Sequence, residues 1–125
     1  MTLTLLLDLD DTLLHNDIDV FVPAYLKALG KHLSKYVAPE IMIPCLLAAT
    51  KEMLTNDTPA ISLENAFDQA FYPAIGRSKE ELRPIIEQFY DEIYPDLHTL
   101  TGQRPEAAGI VAQAFEQGHQ LVIAT

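Results

Sequence analysis

The sequence predicts an α/β protein in which a long helical module interrupts a pair of parallel strands. Three observations carry this expectation. The chain opens on a continuous apolar run, Thr2 to Leu7, that ends abruptly at the carboxylates Asp8, Asp10 and Asp11. It closes on a second short apolar run, Leu121-Val122-Ile123-Ala124, tipped by Thr125. Between the two, from Ile18 to about Tyr94, apolar residues recur at helical rather than strand spacing.

An apolar run that meets polar residues only at its end reads as a strand buried on both faces of a parallel sheet. The acids then stand at its carboxyl end, where open α/β sheets bind their ligands. Val22, Tyr25, Leu26, Leu29, Leu33, Tyr36 and Val37 follow one helix face, with Pro23 near the start and Pro39 beyond the end. A second helix runs around Pro44 to Leu54, its start blurred by Pro39 and Pro44. Ser62 is placed to cap a third, with Leu63, Ala66, Phe67, Ala70 and Phe71 on one side and Gly76 closing it. Ser78-Lys79-Glu80-Glu81 has the form of a capping box and opens a fourth, whose apolar stripe continues from Leu82 to Ile93 until Pro95. The stretch holding Pro95, Gly102 and Pro105 reads as a loop. Pro105 to Gln117 then reads as a helix with Pro105 at its first position and Gly118 as its stop. A strand, a helical excursion, a packing helix and a second strand make an enlarged βαβ unit. Residues 1–16 and 96–125 are expected to form the strand-bearing domain, and residues 17–95 the helical one.

Composition narrows the function classes. A chain of 125 residues with 49% hydrophobic and 21% charged residues can bury a core. Its net charge of −10 gives the electrostatic attraction that drives nucleic-acid binding the wrong sign, so no nucleic-acid partner is expected. The single cysteine, Cys45, can form neither a disulfide nor a zinc site within the chain, which fits a reducing cytoplasm. Leu3 to Leu7 is too short and too acidic in its flank for a signal peptide. No apolar run approaches the roughly 20 residues that cross a bilayer, so no membrane association is expected.

Two carboxylates at i and i+2 just past a strand suit phosphoryl transfer, because one can attack phosphorus while the other handles protons on the same side. Asp8 is read as the nucleophile and Asp10 as the acid and base. A phosphate dianion approaches such dense negative charge only once that charge is offset, which a hard divalent ion on carboxylate and carbonyl oxygens does; Mg²⁺ is the natural choice. The bland alternative is that these aspartates only cap a turn after a strand. The direct junction with the apolar run, and the Thr12 hydroxyl two residues after Asp10, favour the chemical reading.

Leu5-Leu6-Leu7-Asp8-Leu9-Asp10-Asp11-Thr12-Leu13-Leu14 resembles the first motif of the haloacid dehalogenase superfamily, and Leu121-Val122-Ile123-Ala124-Thr125 resembles its second. The order of the motifs and the helical insert between them resemble members with a helical cap after the first strand, and the resemblance covers the whole chain. It implies a Rossmann-like parallel-sheet core, incomplete in this chain, with an inserted α-helical cap. It also implies a Mg²⁺-dependent phosphatase for a small phosphorylated metabolite. Carried over by position, Asp8 forms the phospho-aspartate, Asp10 is the acid and base, and the Asp8 carboxylate and Asp10 carbonyl hold the metal. Leu9, Asp10 and Thr125 contact the phosphoryl group, and Thr12 positions the loop. Members that cleave carbon–halogen bonds lack the second motif acid, so Asp10 points to phosphate esters. His15, Asn16 and Asp17 fall where the family turns into the cap and are expected to be a solvated turn. Arg77, Arg83 and the cap lysines are read first as solvated charges, with a substrate carboxylate or second phosphate as the other use.

The chain also departs from the family. The third motif's Lys or Arg and the fourth motif's acids lie after the second strand, and Lys27, Lys31, Lys35, Lys51 and Lys79 all fall in the cap. Two strands alone would leave open edges. A truncated, inactive fragment is therefore expected, or one piece of a protein completed by another chain or an oligomer. The competing reading is a noncatalytic phosphate- or metal-binding module of the same fold. A two-component receiver domain would need a phosphorylatable Asp after a mid-chain strand, where this sequence is helical.

Overall fold

The structure is a computed structural model and describes residues 1–124. It is a mixed α/β arrangement of five α-helices and two small two-stranded sheets among the described residues. The order is β1 (Thr4–Leu7), β2 (Leu14–Asn16), α1 (Ile18–Leu33), α2 (Pro39–Thr55), α3 (Leu63–Ile75), α4 (Lys79–Gln88), β3 (Thr101–Gln103), α5 (Ala107–Glu116) and β4 (Gln120–Ile123). A π-turn, Phe89–Ile93, and a 3-10 segment, Tyr94–Leu100, lie between α4 and β3. Two compact units emerge, Met1–Pro23 with Asp96–Thr125, and Ala24–Pro95, so the division falls inside α1.

In the first unit β1 and β4 pair in parallel, with Leu5 opposite Leu121 and Leu7 opposite Ile123. The expected adjacency of the two apolar runs is what the structure has. The expected burial on both faces is not. Leu5, Leu7 and Leu121 are half-buried on one face, whereas Leu6 on the other is 68% exposed and Val122 beside it is also exposed. The reason is layering: α5 packs beside β4, and no second layer covers the Leu6 face among the described residues. α5 itself buries only Ala107 and Ala114, and its Phe115 is 61% exposed. It starts at Ala107, after a turn through Pro105 and Glu106, rather than at Pro105. Gly118, with φ +77°, ends that helix region in the left-handed conformation that glycine adopts without a Cβ clash.

The antiparallel ribbon of β2 and β3 was not expected. Leu14 pairs with Gln103, His15 with Gly102 and Asn16 with Thr101. His15 and Asn16 are thus strand residues, which corrects their reading as a solvated turn. Asp17 caps α1 instead: its carboxylate accepts the Asp19 N–H at 3.0 Å and its carbonyl accepts the Phe21 N–H at 2.8 Å. The helix consequently begins at Ile18, upstream of Pro23.

The helical unit holds the continuous core. Leu29, Leu33, Val37, Met42, Ala49, Phe71 and Phe89 are buried together, with Tyr25, Phe67, Ile85 and Ile86 packed against them. α2 begins five residues earlier than Pro44, because Pro39 occupies the first turn, where its missing N–H costs nothing. α3 has its expected ends: the Ser62 hydroxyl accepts the Asn65 N–H at 3.1 Å, and Gly76 closes the helix at φ +67°. The Ser78 hydroxyl accepts the Glu81 N–H at 3.2 Å, but the Glu81 carboxylate bonds Arg77 at 2.7 Å instead of returning to Ser78. The capping box is therefore only half made.

Candidate functional site

The turn after β1 is built around one carbonyl. Leu9 accepts the N–H groups of Thr12 at 3.3 Å, Leu13 at 3.0 Å and Leu14 at 3.0 Å, so the chain makes one tight coil before β2 begins. Closing that coil puts Asp11 at φ +56°, a conformation that Asp tolerates better than most side chains. Asp8, Asp10, Asp11 and Thr12 are all exposed, while Leu9 is half-buried. The aspartates thus share the exposed carboxyl end of β1, beside the tip of β4, where the Ala124 N–H donates to the Leu7 carbonyl at 2.8 Å. Thr125, the expected phosphate contact, lies outside the described residues.

The two acids of the motif differ in their surroundings. The Asp8 carboxylate has no hydrogen bond or ion pair among the described residues, so its lone pairs are available to an electrophile or a cation. The Asp10 carboxylate accepts the Asn16 side-chain amide at 3.4 Å, a long bond that reaches it from β2. Asn16 Oδ1, pointing the other way on the same amide, is buried without a partner. No family model, curated protein or solved structure matches this chain.

Its electrostatics are one-sided. Within Met1–Pro23 and Asp96–Thr125, eight carboxylates stand against a single cation, Arg104. Arg104 follows β3, donates its backbone N–H to the Leu13 carbonyl at 3.0 Å and keeps Nε buried without a partner. No group of three or more His, Cys, Asp or Glu side chains able to hold a metal occurs among the described residues. Mg²⁺ keeps several waters and binds through as few as one or two carboxylates plus substrate phosphate, so the exposed Asp8 carboxylate with a backbone carbonyl is chemically compatible with that ion. The Asp10 carbonyl is spared by the turn's hydrogen bonds among the described residues, so it is free to serve as that carbonyl.

Sequence reasoning reached the aspartates and passed over Asn16 and Arg104. Arg104 had a readable signal, being the only basic residue in the strand-bearing segments apart from histidines. Asn16 had none, since its bond to Asp10 depends on the coil at Leu9 folding β2 back toward the acid.

Proposed function

We propose that this chain carries the nucleophile of a phosphohydrolase that works through an aspartyl-phosphate. The observation supporting it most is the pairing of an exposed, unbonded Asp8 with Asp10 on one coil at the end of a parallel strand. The finer fold that goes with this reading is the Rossmann-like core with a helical cap that the motifs resemble. Asp8 attacks phosphorus as the ester P–O bond breaks, and Asp10 gives its proton to the departing oxygen. Asp10, now a carboxylate, takes a proton from water as that water attacks phosphorus; the Asp8–phosphate bond breaks and inorganic phosphate leaves. A bound Mg²⁺, held by the Asp8 carboxylate and the Asp10 carbonyl, would supply neutralisation of the phosphate charge. Thr12 fastens the coil by its backbone, and Asn16 steadies Asp10 from β2.

The substrate class is a small phosphate ester. A second reading, a noncatalytic phosphate- or metal-binding module, is favoured by one observation: Arg104 is the lone cation of the strand-bearing unit.

The deciding measurement is labelling with radioactive acetyl phosphate and Mg²⁺, which reads the first half-reaction even where turnover is slow. Hydroxylamine-sensitive label is expected on the wild-type chain and absent from Asp8→Asn. Where the wild-type protein turns over, Asp10→Asn should slow attack on alkyl phosphates by about 10² to 10⁴ and on nitrophenyl phosphates far less, because only the former need a protonated leaving group. Absent label with retained Mg²⁺ or phosphate binding would select the second reading. Label that persists in Asp8→Asn would reject the assignment of the nucleophile.

A further inference from the structure

The helical unit contains an open groove of about 620 Å³ between the carboxyl-terminal half of α1 and the α4 region, within the usual range of about 300–1,000 Å³ for small-molecule sites. Its apolar floor includes Ile85 and Ile93, and Lys31, His32, Lys35 and Gln88 complete the wall. No lining residue is acidic, in a protein with a net charge of −10. Neither lysine takes part in an ion pair among the described residues, although Lys79, Arg77 and Arg83 all do. Lys27 and Lys31, at i and i+4 on α1, moreover repel one another. The carboxyl end of α1 offsets only part of this charge. The Glu92 carboxylate, which accepts the side-chain amide of the lining residue Gln88 at 3.1 Å, offsets a further part and leaves the two lysines in excess.

The walls are held in place. His32 Nε2 lies 2.8 Å from the Ile85 carbonyl, which can only accept, so Nε2 carries the hydrogen and ties α1 to α4. The His32 ring also packs against Phe89, with ring centres 5.8 Å apart. Gln88 and Ile93 lie at the two ends of the π-turn, a distortion that recurs at functional sites in helices.

We propose that this groove binds an amphipathic anion, an aliphatic body headed by a carboxylate or a phosphate. The apolar floor takes the chain, and Lys31 and Lys35 take the head group. The inference does not rest on the phosphohydrolase reading, since every residue it uses lies in Ala24–Pro95. The test is calorimetric titration of the full chain at low salt with decanoate, decyl phosphate and decanol, each below its aggregation limit. Both anions should bind saturably and decanol at least tenfold more weakly. The double variant Lys31→Gln, Lys35→Gln should weaken both anions about tenfold and leave decanol unchanged. Lys51→Gln, on α2, should change none of the three. The tighter of the two anions identifies the head group, and either order upholds the site. No saturable anion binding, an unweakened double variant of unchanged helicity, or an equal loss in Lys51→Gln would overturn it.

Discussion

The two units of this protein divide burial and chemistry between them. The helical unit holds all five of the largest fully buried side chains, Phe71, Phe89, Leu33, Met42 and Leu82. The strand-bearing unit holds the acidic coil and buries only Ala107 and Ala114 among its apolar residues. Burial of apolar area is the dominant favourable contribution to folding, so stability is concentrated away from the aspartates. An acid cluster able to meet a ligand must stay exposed, and a thin support is compatible with that. A helical core has no such constraint.

The sharpest way to break this contrast is truncation on each side. Phe71→Ala should cost about 3–5 kcal/mol in urea unfolding, because it empties a fully packed site. Leu6→Ala should cost less than about 0.5 kcal/mol, since that side chain is already in water. Equal costs would mean that the Leu6 face is covered in solution. Hydrogen exchange sharpens the same point. Amides of β1 and β4 should exchange at least tenfold faster than the central amides of α2 and α3, as expected where apolar contacts are few.

A smaller effect is expected at the helix starts. Ser78→Ala removes the acceptor of the Glu81 N–H and should cost about 1 kcal/mol, readable as a lower urea midpoint at unchanged slope.

The smallest effect is electrostatic. Lys79 bonds Glu64 at 2.6 Å and also bonds Asp68, and the hydrogen bond from Lys79 holds the Glu64 carboxyl below its ordinary value of 4.5. A lowered carboxyl stabilises the fold above its unfolded value, and that contribution is lost as pH falls through the folded value. Lys79→Met should therefore lower stability slightly above pH 4.5 and converge on the wild type as pH falls, which flattens the acid limb; the drop is small because both groups are solvent-screened.

The ends of the chain were legible because continuous apolar runs leave few alternatives. Ser62, Gly76 and Ser78 were legible because caps are local chemistry. The β2–β3 ribbon was not, since three-residue strands carry no periodicity and one of them contains Gly102. The start of α2 is blurred in the sequence because Pro39 and Pro44 are both candidates to open it; Pro39 does, in the first turn where proline is favoured. At the site, Asp8, Asp10 and Thr12 stand on one coil as the motif suggested, whereas Asn16 and Arg104 depend on a fold-back that neighbouring residues do not encode.

The open face of the β1–β4 pair also has a colloidal consequence. Leu6 and Val122 lie on an exposed strip whose two strands each have one unpaired edge among the described residues, the geometry that invites edge-to-edge association. Eight carboxylates in the same unit keep such copies apart at neutral pH. Acidification toward the pI of about 4.6 removes that repulsion while leaving the strip in place. Light scattering at low salt should accordingly rise between pH 6 and pH 4.6, and Leu6→Lys should need a higher protein concentration for the same rise.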